Sequence, residues 1–268
     1  MQSVQKSELH YMHYVCSDIH GQYDLYQQLL QKLDLQESDI LYVIGDAIDR
    51  GPDSLAILKD IMSRKNVELF LGNHELMMLD YYDGEGLPES WMRPSNGGEL
   101  TYRQIEKLTE EEKSGIKAFV RNTWIQKYVT AGDVSYALHH SFWLPEQENT
   151  DIRYSDLEHS EWESVFKAVW YSPYRLYEYV PAYVYEDEYI HIIGHVPVRI
   201  ASEILSEEDP ARVQARPPLI DGNGHIFNID GGCALIGRTG EGGLYCMSLE
   251  KDECGKRKEF WIEPEKSG

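Results

Sequence analysis

Three short segments carry side chains able to hold metal ions: Ser17-Asp18-Ile19-His20-Gly21, Gly45-Asp46-Ala47-Ile48-Asp49-Arg50-Gly51 and Gly72-Asn73-His74-Glu75. Imidazoles come from two further places, His139-His140 and Gly194-His195. Carboxylate oxygens mixed with imidazole, and no thiolate among them, suit Mn, Fe, Zn or Co rather than a structural thiolate site. A carboxylate lying between two such groups can bridge two cations about 3.5–4 Å apart, clamping the attacking and leaving oxygens of an in-line displacement. Cations held this way lower the pKa of bound water towards neutrality and provide a hydroxide nucleophile. Gly21, Gly45, Gly51 and Gly72 allow the backbone to turn sharply beside the ligands.

Short apolar runs must position these segments. Tyr11–Cys16, Ile40–Ile44 and Val67–Leu71 read as buried strands, and each metal-binding segment follows directly on one of them. Tyr26, Leu29, Leu30 and Leu33 give the intervening stretch one apolar helical face. Pro52 opens a second helical pattern with Leu55, Leu58 and Met62, where its missing N–H costs nothing. Strands alternating with helices imply βαβ units and a parallel core, with ligands gathered at the carboxyl ends of the strands. Tyr136-Ala137-Leu138 runs into His139-His140, and His191-Ile192-Ile193 into Gly194-His195, so five strand ends meet at one edge. Residues 83–98 are loop-like, Glu99–Lys127 reads as mostly helical, and Glu158–Val169 as a helix. Further strands are expected at Val134–Leu138, Tyr189–Ile193, Ile226–Ile229, Gly243–Leu249 and Glu259–Ile262. With no internal repeat and no long linker, a single domain over 1–268 is expected, carrying a helical and loop insertion at about 83–129.

In this order the motifs resemble those of the calcineurin-like metallophosphoesterases. They are Asp18-x-His20, Gly45-Asp46-x-x-Asp49-Arg50-Gly51, Gly72-Asn73-His74-Glu75, His140 and Gly194-His195. The likeness is closest to the phosphoprotein-phosphatase branch of bacterial type, and Asn96-Gly97-Gly98 with Thr101 also resembles a segment of bacterial members. The resemblance implies an α/β fold, a central β-sandwich of mixed sheets flanked by helices. It implies that Asp18 and His20 bind a first metal, that Asp46 bridges, and that Asn73, His140 and His195 complete a second site. Arg50 would hold phosphate oxygens through its planar fork. His74 would be the general acid, oriented and kept cationic by Asp49. The implied activity is a phosphomonoesterase that dephosphorylates phosphoserine or phosphothreonine in proteins by attack of metal-bound hydroxide. Its cofactors would be two divalent metal ions, with Mn favoured over Fe, Zn or Co.

Charge and composition frame these expectations. The chain of 268 residues is 42% hydrophobic, holds 46 acidic against 25 basic residues, and has a formal net charge of −21. Such a surface repels a phosphate backbone, so nucleic acid is not expected as a partner. Two divalent cations set against Asp18, Asp46 and Arg50 would still leave a local charge of about +3 to attract a phosphoryl group. No apolar run of 18 residues exists and the start is polar, which argues against a membrane span or a signal peptide. Cys16, Cys233, Cys246 and Cys254 show no C-x-x-C spacing and fit buried thiols in the cytoplasm.

Several residues also carry plainer readings. Asp49 and Arg50 could form a local ion pair only. His139 and His140 compete for one ligand position, and Pro145, five residues after His140, favours His140. His191 reads as a core histidine, and Asp230 as a structural turn residue rather than a catalytic one. The run Tyr174–Tyr189 reads as a half-exposed strand and loop. Ser17 stands where the family more often has glycine. Arg175 is the nearest candidate for a second phosphate-binding arginine, at a poor spacing. Symmetric dinucleoside tetraphosphate hydrolysis is the first rival activity, and Tyr81, Tyr82, Trp91 and Arg93 could receive its nucleosides. Glu75, where the tetraphosphatase group often has Asp, leans towards the phosphatases. A non-catalytic scaffold is the second rival, and it would have lost ligands that this chain retains.

Overall fold

Alternate residues of each early strand face opposite layers. In β1 (His13–Cys16), Val15 points to one side while Tyr14 and Cys16 point to the other; β2 (Ile40–Val43) divides Tyr42 from Leu41 and Val43 in the same way. The computed structural model describes residues 11–142, 144, 150–174, 188–206 and 213–265. β3 (Val67–Leu69) completes a parallel trio in which the predicted helices α1 (Tyr23–Leu33) and α2 (Ser54–Ser63) form the crossovers. The Gly72-Asn73-His74-Glu75 segment after β3 opens α3 (Asn73–Asp83), followed by α4 (Glu99–Ile105) and α5 (Glu110–Arg121).

The expected helix over Glu99–Lys127 is corrected at its end, because β4 spans Trp124–Ala131. There Ile125, Val129 and Ala131 are buried, and the Lys127 ammonium lies 3.9 Å from the centre of the Trp124 ring, so the lysine is held against the strand by a cation–π contact and does not mark a helical face. β5 (Val134–His139), β6 (Ile152–Arg153), α6 (Trp162–Trp170), β7 (Tyr189–Ile193) and α7 (Val198–Leu205) follow. The chain then adds β8 (Leu219–Ile220), β9 (Ile226–Asn228), the short α8 (Ile236–Thr239), β10 (Leu244–Lys251) and β11 (Arg257–Ile262).

Two mixed sheets result, ordered β11-β10-β1-β2-β3 and β6-β4-β5-β7-β9-β8. Val15, Tyr42, Ile44 and Phe70 of the first meet Val129, Tyr136, Leu138, Ile192 and Phe227 of the second, forming the inner layer of a sandwich. Outside the first sheet, Leu29, Ile57 and their neighbours pack on Cys16, Leu41 and Val43. Ala201 of α7 lies with Ile193 and Ile226 outside the second. Phe70 bridges to Trp124, and the Leu71 N–H donates to the Trp124 carbonyl at 2.7 Å, so β3 is tied to the second sheet where its ligand segment begins. Cys16, Cys233 and Cys246 are buried free thiols, but Cys254 is exposed, contrary to the expectation for all four. Among the described residues no helix is long and apolar enough to cross a membrane.

Candidate metal centre

β1, β2, β3, β5 and β7 deliver their following segments to one edge of the sandwich, and the backbone there is unusual. Seven non-glycine residues among those described have positive φ, and six of them are Asp18, His20, Asp46, Asp49, Arg50 and His195. Each such residue costs on the order of 1–3 kcal/mol and persists only where its surroundings over-determine it. Backbone bonds supply that determination: Asp18 N–H to the Gly45 carbonyl (3.1 Å), His20 N–H to that of Asp46 (2.9 Å) and Gly21 N–H to that of Ala47 (2.9 Å). A methyl group at Gly194 would collide with the Asp18 carboxylate, and one at Gly72 with that of Asp46. Only glycine lets the backbone at these two positions approach the carboxylates so closely.

Asp46 is the hub. Its Oδ1 accepts the His74 N–H at 3.0 Å and lies 3.5 Å from His140 Nε2, while its Oδ2 is 3.7 Å from His20 Nε2. Asn73 Oδ1 sits 3.1 Å from His140 Nε2 and 3.0 Å from His195 Nδ1. Asp18 Oδ2 accepts the His195 N–H at 3.0 Å, and Asp18 Oδ1 is 3.9 Å from His20 Nε2. Two groups of possible metal donors therefore share Asp46, one with His20 and His74, the other with His140 and His195. His20 and His140 each donate Nδ1–H to a backbone carbonyl, Ile48 (3.1 Å) and Ile44 (2.9 Å), which leaves Nε2 available to a metal.

Divalent cations fit these residues. Asp18 Oδ1 is buried with no hydrogen-bond partner. Burial pushes the Asp18 and Asp46 carboxyls up and pulls the His20 imidazole down, so charge on these groups is costly there without an opposite charge beside it. The mixed oxygen and imidazole donor set suits first-row divalent metals.

Beside the hub, His74 Nδ1 is 2.7 Å from Asp49 Oδ2. The carboxylate can only accept, so Nδ1 carries the hydrogen. Arg50 Nη2 lies 3.2 Å from His74 Nε2, and a guanidinium can only donate, so that nitrogen here accepts. Sequence reasoning missed the group that holds Asp49: the Trp91 indole N–H, which donates to Asp49 Oδ2 at 2.8 Å. The Asn96-Gly97-Gly98 segment is the available signal, since Gly98 packs on Trp91, Asn96 Nδ2 donates to the Ser90 carbonyl at 2.8 Å, and the Arg50 N–H approaches the Gly97 carbonyl at 3.4 Å. Thr101 donates to Ser54 Oγ, which accepts the Asp49 N–H at 2.8 Å.

Trp91 is 0% exposed, with Tyr81 and Tyr82 packed on it. Buried and committed to Asp49, Trp91 cannot receive a nucleoside, while Tyr81 and Tyr82 are half-buried. Glu75 also faces inward, its carboxylate accepting the N–H groups of Gly72, Asp46, Ala47 and Ile48. An aspartate is one methylene too short for that span, so the choice of Glu here fixes the Asp46 loop. Arg175, Pro145 and most of the tyrosine-rich run lie outside the described residues.

His139 stays out of the centre. Its Nε2 pairs with His191 Nδ1 at 3.1 Å with stacked rings, and burial followed by the His191 charge lowers its pKa. His139→Ala should keep the full metal content and lower stability by about 1–3 kcal/mol, the cost of breaking a buried polar pair. His140→Ala should lose one of two cations and most of the turnover. Elemental analysis with a melting curve checks both, and the reverse pattern would reassign the ligand.

The calcineurin-like phosphoesterase signature matches residues 14–221 of the chain. The chain belongs to that family. Among relatives of this phosphoesterase, a stretch of 73 residues is 47% identical to the symmetrical bis(5'-nucleosyl)-tetraphosphatase of Cellvibrio japonicus, covering 26% of this chain and 27% of that protein. The serine/threonine-protein phosphatase 2 of Escherichia coli is 32% identical over 135 residues, which is 49% of this chain and 59% of that one. The solved structure of a serine/threonine phosphatase from Saccharomyces cerevisiae shares the fold with a TM-score of 0.55 at 12% identity, covering 98% of this chain and 83% of that one. The family is divalent-metal dependent, in keeping with the donors gathered around Asp46.

Proposed function

We propose that this chain is a two-metal phosphomonoesterase that dephosphorylates phosphoserine or phosphothreonine in proteins. The observation that carries the reading is the paired imidazole, His74 held at 2.7 Å by an Asp49 carboxylate that Trp91 fixes in turn. A serine or threonine alkoxide is a basic leaving group and gains most from a positioned proton donor. The leaving group of a phosphoanhydride is a stable anion and gains little.

In this reading Asp18 and His20 would hold one cation, Asn73, His140 and His195 the other, and Asp46, common to both donor groups, would serve both. Cations bound there, Mn favoured, would supply nucleophilic water at neutral pH and draw charge from the phosphoryl oxygens. Arg50 turns from His74 Nε2 onto two phosphate oxygens, which its planar fork matches. Nε2, released from that bond and protonated, then meets the leaving oxygen while Asp49 keeps the ring in place. We place the protein in the cytoplasm, where its free thiols would persist.

A second reading, symmetric dinucleoside tetraphosphate hydrolysis, draws support from the Cellvibrio relative and from a cavity of about 710 Å³ whose lining includes Trp261, Arg199 and Arg216. Ile262 pairs with Leu244 and Cys16 with Cys246, so this cavity opens at the same edge of the first sheet as the end of β1. Its volume suits a nucleoside. With Mn²⁺, kcat/KM for a phosphoserine peptide should exceed that for diadenosine tetraphosphate by at least about tenfold, given the worth of a general acid to a basic leaving group. The opposite order, with ADP as sole product, would install the second reading instead.

A further inference from the structure

β9 supplies a sixth strand end to this edge. It runs parallel to β7 with Ile193 opposite Asn228, so two residues further on His195 and Asp230 leave the sheet side by side. The two ends are laced together: the Val198 N–H donates to the Asp230 carbonyl at 3.0 Å, and Asn228 Nδ2 to the Val196 carbonyl at 2.8 Å. The His195 N–H in turn donates to Asp18 Oδ2.

Asp230 is 1% exposed. Its Oδ1 accepts the Gly232 N–H at 2.8 Å, which accounts for the turn but for only one oxygen. Oδ2 is buried with no hydrogen-bond partner, as is Asp18 Oδ1. Buried acceptors in that condition are costly, and a turn alone would not retain a charged side chain. Burial and then the charge of Asp18 push the Asp230 carboxyl well up, with Asp46 adding and Arg50 opposing, so this carboxylate lies within electrostatic reach of the centre. A cation beside Asp18 would meet both deficits.

We propose that Asp230 is a positioning residue of the metal centre, contributing its charge and its Oδ2 acceptor to the cation held by Asp18 and His20. The inference rests on the two-cation reading above and adds a residue to it. The wild-type chain should bind two Mn²⁺ in a calorimetric titration. Asp230→Asn keeps the Gly232 bond, and it should hold one Mn²⁺ as tightly as before and the other about ten- to a hundredfold more weakly. Its metal-free melting temperature should equal or exceed that of the wild type, because a buried charge has gone, while the rise on adding Mn²⁺ should shrink. Asp230→Ser, whose hydroxyl can accept the same Gly232 bond, should repeat the pattern if the asparagine variant does not fold. Unchanged Mn²⁺ affinities at both sites with a lowered metal-free melting temperature would reduce Asp230 to a turn residue and overturn the proposal. A wild-type chain that bound no Mn²⁺ would instead overturn the two-cation reading, and this inference with it.

Discussion

His74→Asn is expected to lower turnover of a phosphoserine substrate by roughly 10²- to 10⁴-fold, the usual worth of a general acid, while both metals stay bound. With p-nitrophenyl phosphate the loss should be much smaller, because nitrophenolate departs without a proton. The geometry behind the difference is specific. Nδ1 is occupied by Asp49 at 2.7 Å, so Nε2 alone can serve the leaving oxygen, and Arg50 must vacate it first. Asp49→Asn should show the same leaving-group bias more weakly, since an amide can still accept from Nδ1–H but carries no charge. Kinetics on the two substrates, with metal content measured in parallel, separate the cases. Equal losses on both would mean that His74 positions phosphate or nucleophile and donates no proton.

Much of this centre is legible in the sequence because strand and ligand adjoin. An apolar run of four or five residues that breaks into Asp18-x-His20, into Gly45-Asp46 or into Gly72-Asn73 marks a strand end and a donor together. The same logic reads β5 and β7 up to His140 and His195. What escapes is whatever depends on distant pairing. Trp91 reaches Asp49 across 42 positions, and a tryptophan in a Gly/Pro-rich stretch gives no local sign that its N–H is committed. β4 escapes because Lys127 and Gln126 break its apolar alternation, although the Lys127 ammonium lies over the Trp124 ring and the Gln126 amide donates to the Thr150 carbonyl at 2.9 Å. Glu75 invites a reading about substrate, yet its four backbone partners come from two loops that only the fold brings together. Asp230 shows its turn in the sequence and its orphaned oxygen only in three dimensions.

Asp46→Asn should have the other large effect. Asp46 is the donor common to both groups around the centre, so removing its charge leaves neither group with a shared carboxylate. Metal Lewis acidity is worth several kcal/mol, and each ~1.4 kcal/mol is tenfold, so turnover should fall by about 10³-fold or more with every substrate alike. That uniform loss contrasts with the leaving-group bias of His74→Asn. Both rest on one claim, that two divalent cations sit between these side chains. The direct measurement is to strip the wild-type chain with chelator, titrate it with Mn²⁺, and follow bound metal and p-nitrophenyl phosphate hydrolysis in the same samples. The predicted result is no hydrolysis in the stripped protein, with activity returning as occupancy approaches two Mn²⁺ per chain. Full hydrolysis by rigorously metal-free protein, or full activity at one Mn²⁺ per chain with no second binding event, would contradict it.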